Sequence, residues 1–588
     1  MNRPECIRIA VACGIVAVIF TIFSARLVDL HISKHTEYSK LAAQKHTLRQ
    51  IIHAKRGMIM DRNGEILASN LPVRKVVADA SQIKDPAVVA ALASQFLGLK
   101  EADVLKKISS QKKYIVLKKE VPEDIYVALE AAMQKANVRG VTFEQDAIRI
   151  YPNGETLGHV LGFLNDEGKG VQGIELTMNN LLAGKDGHRF IERDRTGKEI
   201  MLYRGTEQEP VHGKNIRLTI DMSLQSILEE EIDKTFKEYK PETVTGIMLD
   251  PKTGEVLAMV NRPCFNPNEP GKAEPEQMKN RAIIDMVEPG STFKIVVAAG
   301  ALNEGTVNEK SSIFCENGRF SYAGKILKDH HGYGDMNVHE ILVKSSNIGS
   351  AKLALLMGGD KYYEYVRRFG FGERHGIELP GEIPGLVHPP ARWDKLTITR
   401  MPMGHSVAVT PLQITMGMSV IANGGHLMAP HVIKSVEDLD GTKILEKTPK
   451  VVREVIPEKT ARFITNALVG VTQTGGTATY ARVNGFEVAG KTGTAQKVSP
   501  KGGYAAGKYV VSFVGFMPAE DPRFVCLIMV DDAKIASNLN YGGQVAAPVF
   551  SRVGEKAARH LDLNPTLPPI PLQDMPMAKA ETLNEATH

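Results

Sequence analysis

The chain has 588 residues, more than one hydrophobic core serves, so two or more domains are expected. Its 72 Lys and Arg against 67 Asp and Glu leave a net charge of +5, with no long basic run of the kind a dedicated nucleic-acid binder concentrates. Five cysteines (Cys6, Cys13, Cys264, Cys315, Cys526) are too few and too scattered for a disulfide framework, and no CxxC or HExxH spacing points to a metal.

The first predicted element is an apolar run. Ile9 to Ala25 carries no charge and is bracketed by Arg8 and Arg26. That is the short end for a membrane span, and Leu27 and Val28 extend it if Arg26 snorkels. A cleavage site after Ala25 would place Phe23 where a small residue is needed. An uncleaved anchor over 9–28 is therefore expected, with 1–8 cytoplasmic. Arg26, Lys34 and Lys40 rival Arg3 and Arg8 in charge, but long domains translocate largely regardless of charge, so the rest is expected outside.

Leu30 to Gln50 reads as a polar, mostly helical stalk, and Arg56–Ala68 as two strands around the Asn63-Gly64 turn. Residues 85–135 carry amphipathic helical patterns; Arg149 to Gly197, punctuated by glycines, reads as short strands and turns. A strand at Arg217–Ile220 precedes a helix from Ser223 to about Tyr239, and a hairpin turns at Asp250–Gly254. Helical stretches fill the middle, and strands return at Val488–Ala489, Val510–Phe516 and Phe524–Val530. Helices between N- and C-terminal strand pairs predict an α/β domain over 216–562, preceded by a strand-rich domain over 29–215. A Pro-, Ala- and Glu-bearing tail over 563–588 reads as disordered.

Ser-x-x-Lys occurs at Ser81, Ser109, Ser110 and Ser291. The first three lie in Lys-rich surface stretches. Ser291-Thr292-Phe293-Lys294, in contrast, follows a Pro-Gly break and opens an apolar helix, IVVAAGAL, of the kind buried at a domain centre. Ser291 on its first turn meets free backbone N–H groups and the positive end of the helix dipole. Lys294, one turn on and desolvated, would lose its proton and act as base; the alternative is an N-cap serine beside an accidental lysine. Ser345-Ser346-Asn347 lies between helical stretches, where Ser345 would relay a proton and Asn347 would bond a peptide carbonyl, or either would simply cap a helix. Asp329-His330-His331 reads as a polar loop.

Lys-Thr-Gly at 252–254 is a hairpin turn. At 491–493 small residues let another backbone approach closely, with Lys491, Thr492 and Thr494 offering donors to a carboxylate and Lys491 expected as a surface-directed cation. Gly485–Thr492 also fits the phosphate-binding pattern GxxxxGK[ST], but the glycines and proline after it leave no room for the required helix.

The concatenation Arg56–Ala68, Arg149-Ile150-Tyr151-Pro152, Gly158–Gly162, Gly173-Ile174-Glu175, Asn280–Lys294, Val409–Gln413, Gly490–Lys497 and Tyr541-Gly542-Gly543 resembles the class B penicillin-binding proteins over nearly the whole chain. The resemblance implies an N-terminal membrane helix, a mixed pedestal domain and a penicillin-binding/serine β-lactamase-like transpeptidase domain, together α/β (α+β). It implies Ser291, Lys294, Ser345, Asn347 and Lys491 as catalytic residues, with Thr492, Gly493 and Thr494 binding substrate, and the backbone N–H groups of Ser291 and Thr494 as oxyanion hole. It implies no cofactor and no metal. The expected partners are peptidoglycan stem peptides, β-lactams, a SEDS-type membrane glycosyltransferase and divisome proteins, at the bacterial cytoplasmic membrane with the catalytic domain on its outer side. Within class B the sequence is most similar to division-specific members, with elongation-specific ones as runner-up; Met403-Gly404-His405-Ser406 departs from the Gly-aromatic-Gly or Gly-His-Gly of many relatives. A non-turnover penicillin-sensing receptor is the competing reading of another class.

Overall fold

The computed structural model describes residues 3–38, 47–110, 112–193, 199–202, 207–498, 503–536 and 539–568. They fall into two compact units, Met1–Lys55 with Gly184–Gly213, and Arg56–Ala183 with Lys214–His588.

In the first unit, helix α1 (Arg3–Val28) exposes apolar side chains on every face. A helix apolar all round is at home in lipid rather than water, and the stretch Cys6–Ser33 is long and apolar enough to cross a bilayer. Arg26 turns to Asp29, 2.8 Å away. The expected helical stalk departs from expectation at its end. Thr47–Ile52 is a strand, paired antiparallel to Gly187–Arg193, which pairs in turn with Glu199–Leu202. The β-branched residues of TLRQII favour that state. Residues 39–46 lie outside the described residues.

Among the described residues the second unit holds two large sheets and three two-stranded ones. The first runs through β1 (Ile59–Met60), β2 (Ile66–Ala78), β3 (Ile115–Val121), β4 (Val141–Ile150) and β5 (Asn215–Leu218). The Asp61–Glu65 turn between β1 and β2 places Gly64 at φ +96°, and the Asp61 carboxylate accepts from Asn63 and Glu65 N–H. Strand β3 lies inside a stretch whose Lys and Ala content reads as helix; its buried Ile115, Leu117 and Val121 keep period two among surface lysines. Helices Pro86–Leu97, Glu101–Ile108 and Glu123–Lys135 pack on β2 and β3 in a small core of their own. The glycine-rich stretch after β4 forms short helices, Gly158–Leu161, Gly173–Thr177 and Asn179–Leu182, where strands were expected. There Glu175, fully buried, accepts from both Arg56 and Arg149.

After helix α2 (Met222–Tyr239) come β6 (Thr243–Leu249) and β7 (Val256–Arg262), then α3 (Lys294–Asn303), α4 (Asn347–Met357) and α5 (Pro411–Ala422). Strands β8 (Ile433–Glu437) and β9 (Lys443–Glu446) extend the first sheet, whose order is β9-β8-β5-β1-β2-β3 with β4 also on β2. All its pairs are antiparallel except β1 with β5. Arg217 and Glu437 bridge β5 and β8 at 2.7 and 3.0 Å. Helix α6 (Glu458–Thr472) leads to β10 (Ala489–Val498), β11 (Tyr504–Met517) and β12 (Phe524–Asp531), and α7 (Ala547–His560) closes the unit. The second sheet is fully antiparallel, ordered β7-β6-β12-β11-β10. Helix α5 packs on this sheet, and α3, buried from Lys294 through Ala301, packs against α4 and α6. Of the expected tail, Thr566 and Leu567 donate to the Gly485 carbonyl, and 569–588 lie outside the described residues.

Candidate active site

The Ser291 turn is built from its neighbours. Gly290 takes φ +59°, a short 3-10 turn covers Gly290–Phe293, and Thr292 Oγ1 donates to the Pro289 carbonyl at 2.8 Å. In 3-10 geometry residues three apart eclipse, so Lys294 begins α3 on the same side as Ser291. Ser291 is half-buried; Lys294 is fully buried. The other three Ser-x-x-Lys serines do local work on the surface, Ser81 donating to Asp79 and Ser109 and Ser110 to carbonyls one turn back.

Lys294 Nζ donates to the Ser345 carbonyl, lies 2.8 Å from Asn347 Oδ1 and 3.1 Å from Ser345 Oγ. Lys491 Nζ reaches the same Ser345 Oγ from the other side at 3.0 Å. Two amines thus converge on one hydroxyl. Lys491, expected at the surface, is fully buried, because it sits in the interior of β10 with its side chain directed at Ser345. Burial pushes both amines toward the neutral form. Lys294 is held well below its ordinary value by desolvation, then by repulsion from Lys491, against a smaller opposing pull from Asp329. Desolvation brings Lys491 down to about 7.

Ser345 adopts φ +58°, uncommon for a residue with a side chain, and its hydroxyl faces the lysines while Ser346 turns the other way. Ser346 Oγ caps α4 by accepting from Gly349 N–H at 2.9 Å. Capping and site geometry are therefore shared between adjacent serines. The Asn347 amide has a partner on each side: Oδ1 accepts from Lys294 and Nδ2 donates one of its two hydrogens to the Lys328 carbonyl at 3.0 Å. Its oxygen orients the lysine, and the second hydrogen of Nδ2 is the donor that the expected peptide carbonyl would take.

Thr492 Oγ1 lies 3.2 Å from Thr477 Oγ1, and Thr494 Oγ1 accepts from Gly542 N–H at 3.3 Å. Gly493 and Gly290 let β10 lie against the turn that bears Ser291. A Cβ at Gly493 would come within 2.4 Å of Ser512 Oγ and 3.0 Å of the Pro289 carbonyl, and one at Gly290 within 3.1 Å of Thr494 N. With Lys491 and Thr492 inside a strand, no phosphate loop exists here.

Sequence reading missed two groups around this center. Asp329, read as part of a polar loop, accepts from Ser346, Asn347 and Ile348. Glu288 accepts from Ser406 N–H at 3.1 Å and lies 2.8 Å from His405 Nδ1, with the Tyr504 hydroxyl on both. Only the latter left a trace, in the departure at Met403–Ser406.

Residues 244–555 match the penicillin binding protein transpeptidase domain, and residues 51–218 the penicillin-binding protein dimerisation domain. The chain belongs to the class B penicillin-binding proteins, a transpeptidase domain set behind a dimerisation domain. Within that class it is FtsI-like: it is 31% identical over 565 residues to the peptidoglycan D,D-transpeptidase FtsI of Escherichia coli, covering 95% of this chain and 92% of the relative. It is equally 31% identical over 566 residues to the probable peptidoglycan D,D-transpeptidase PenA of Neisseria meningitidis, covering 95% and 94%. Stage V sporulation protein D of Bacillus subtilis is 32% identical over 93% of this chain and 85% of its own length. Among solved structures, penicillin binding protein 3 of the tuberculosis mycobacterium, complexed with aztreonam, superposes with a TM-score of 0.69 at 27% identity, over 89% of this chain and all of that one. Penicillin binding protein 2X of Streptococcus thermophilus gives 0.73 at 27% identity, over 87% and 80%.

Proposed function

We propose that the protein closes peptidoglycan cross-links during septal wall synthesis, as a serine-type D,D-transpeptidase anchored in the cytoplasmic membrane by α1 with its catalytic domain outside. The observation that carries this reading is the meeting of two fully buried lysines on the Ser345 hydroxyl, beside the turn that bears Ser291. Ser291 Oγ attacks the carbonyl carbon of the penultimate D-alanine in a D-Ala-D-Ala stem peptide, and Lys294 takes the hydroxyl proton. The C–N bond to the terminal D-alanine breaks, and Ser345 with Lys491 passes a proton to the departing amine. Backbone N–H groups of Ser291 and Thr494 hold the oxyanion; Thr492 and Thr494 present donors to the substrate carboxylate, and Gly493 lets β10 close on the Ser291 turn so that these groups meet the substrate together. Asn347 keeps Lys294 aimed. An amine of a neighbouring stem peptide then attacks the acyl ester, forms the new amide and returns the proton to Ser291.

The likeness to FtsI supports the septal assignment, and the partners proposed with it are a SEDS-type membrane glycosyltransferase and divisome proteins. A β-lactam, whose strained amide and carboxylate imitate D-Ala-D-Ala, is opened by the same attack, and its tethered leaving group hinders the next nucleophile. Intact-protein mass spectrometry with a penicillin should show one stable added mass, mapping to the Ser291 peptide and absent in Ser291→Ala. Labelling of another residue would move the nucleophile; rapid loss of the adduct with steady drug hydrolysis would make the protein a β-lactamase.

A further inference from the structure

The loop that follows the hairpin Arg319–Tyr322/Lys325–Lys328 grips the start of α4. Asp329 Oδ2 accepts from the Ser346 hydroxyl at 2.6 Å, and Oδ1 accepts from the N–H groups of Asn347 and Ile348, the latter at 3.1 Å. The adjoining Lys328 carbonyl takes the Asn347 side-chain amide. One dipeptide therefore holds Asn347 by its backbone and by its side chain, and this decides which amide atom faces Lys294. Ser345, immediately before, sits at φ +58°. A non-glycine residue there is strained and persists only where its surroundings hold it. The two residues whose oxygens surround the Lys294 amine, Ser345 and Asn347, flank the segment that Asp329 fastens.

We propose that Asp329 is a positioning residue for acyl transfer: its carboxylate fastens Ser346–Ile348, so that Ser345 and Asn347 are aimed at Lys294. It is more than a helix cap, because its negative charge also acts on the amine it helps to place. The charged and titratable groups facing Lys294 are Lys491 from β10 and Asp329 and His330 from this loop. Lys491 disfavours the ammonium form and Asp329 favours it. Removing the carboxylate charge therefore lowers the pH at which Lys294 takes up a proton.

This inference rests on Ser291 being the nucleophile, and the test separates the two. The full chain in detergent is labelled with a fluorescent penicillin, and the acylation rate is followed against pH. In Asp329→Asn, which keeps an acceptor for the N–H groups and hence the fold but replaces the acceptor of the Ser346 hydroxyl with a donor, the rate should fall roughly 10- to 100-fold, the scale of a misplaced catalytic group. The acid limb of the profile should move to lower pH. Asp329→Glu, with the charge on a longer arm, should return the limb toward its wild-type position without restoring the full rate. A wild-type rate in Asp329→Asn, or a slower rate with an unmoved acid limb, overturns the proposal. Labelling that survives Ser291→Ala overturns the underlying reading, and this inference with it.

Discussion

Around Ser345 the donors and acceptors can be assigned from capacity alone. A neutral amine has two N–H donors and one lone pair. The Ser345 carbonyl and Asn347 Oδ1 can only accept, so they use both N–H groups of a neutral Lys294. At rest the Ser345 hydroxyl then donates to the lone pair while accepting from Lys491, a directed path from one lysine to the other, and it must turn from Lys294 before that lone pair takes the Ser291 proton. The same burial has a thermodynamic signature. An unfolded lysine binds its proton up to about pH 10.4, whereas folded Lys491 releases it near 7. Between those values the unfolded state binds more protons, so stability rises with pH; below about 7 the penalty of charging the buried amine is felt in full. Thermal unfolding of the wild type should therefore gain in midpoint from pH 7 to 10, and Lys491→Met should show a flatter rise while acylating about 10²- to 10⁴-fold more slowly. Equal slopes for the two proteins would mean that the amine is not depressed. Ser291, Lys294, Ser345, Asn347 and Lys491 were all visible as candidates, because each lies in a short local pattern. Asp329 was not, since its partners lie 17 to 19 residues further along and no spacing rule links a loop carboxylate to a helix start it has yet to meet.

At the scale of elements, the site depends on how closely one strand approaches one turn. Gly404 packs on Gly290, where a Cβ would come within 2.3 Å of the Gly290 nitrogen, and Gly290 in turn packs on Thr494. Gly493→Ala should force β10 away from the Pro289–Thr292 turn, since its methyl would meet Ser512 Oγ and the Pro289 carbonyl. Acylation should slow roughly 100-fold, the order expected for a displacement near 1 Å, with little change in far-UV circular dichroism. An acylation rate within twofold of wild type would mean that the approach is not needed. The Gly-Lys-Thr-Gly run was legible as a strand built for close approach. The neighbour at Gly404 was not, because a contact between two loops leaves no periodicity. Strand β3 was hidden for another reason: Lys113, Lys118 and Lys119 swamp the two-residue alternation of Ile115 and Leu117.

For the whole molecule, the span over α1 and the proposed export of the catalytic domain make a joint expectation. Protease added to intact spheroplasts should digest nearly the whole chain while the mature protein keeps its N-terminal sequence; protection of the C-terminal domain would reverse the topology. Depletion should leave filamentous cells if the role is septal, and rounded cells would assign it to elongation. The order of domains was readable from the apolar run and the motif succession, but the path of the chain through the first sheet was not. Strand β5 pairs with β1 on one side and with β8 on the other, and the Arg217–Glu437 bridge fastens that second seam. Residues 433–446 thus belong to a sheet whose other strands lie between 59 and 218, although they fall inside the stretch that matches the transpeptidase domain. Evolution by recombination meets a constraint here. A crossover between related genes at residue 218 or 244 would mate a foreign β5 to a native β8, across a seam that the two parents optimised separately. Mosaic alleles should tolerate exchange within either arm of that sheet more readily than at the boundary between the two domains.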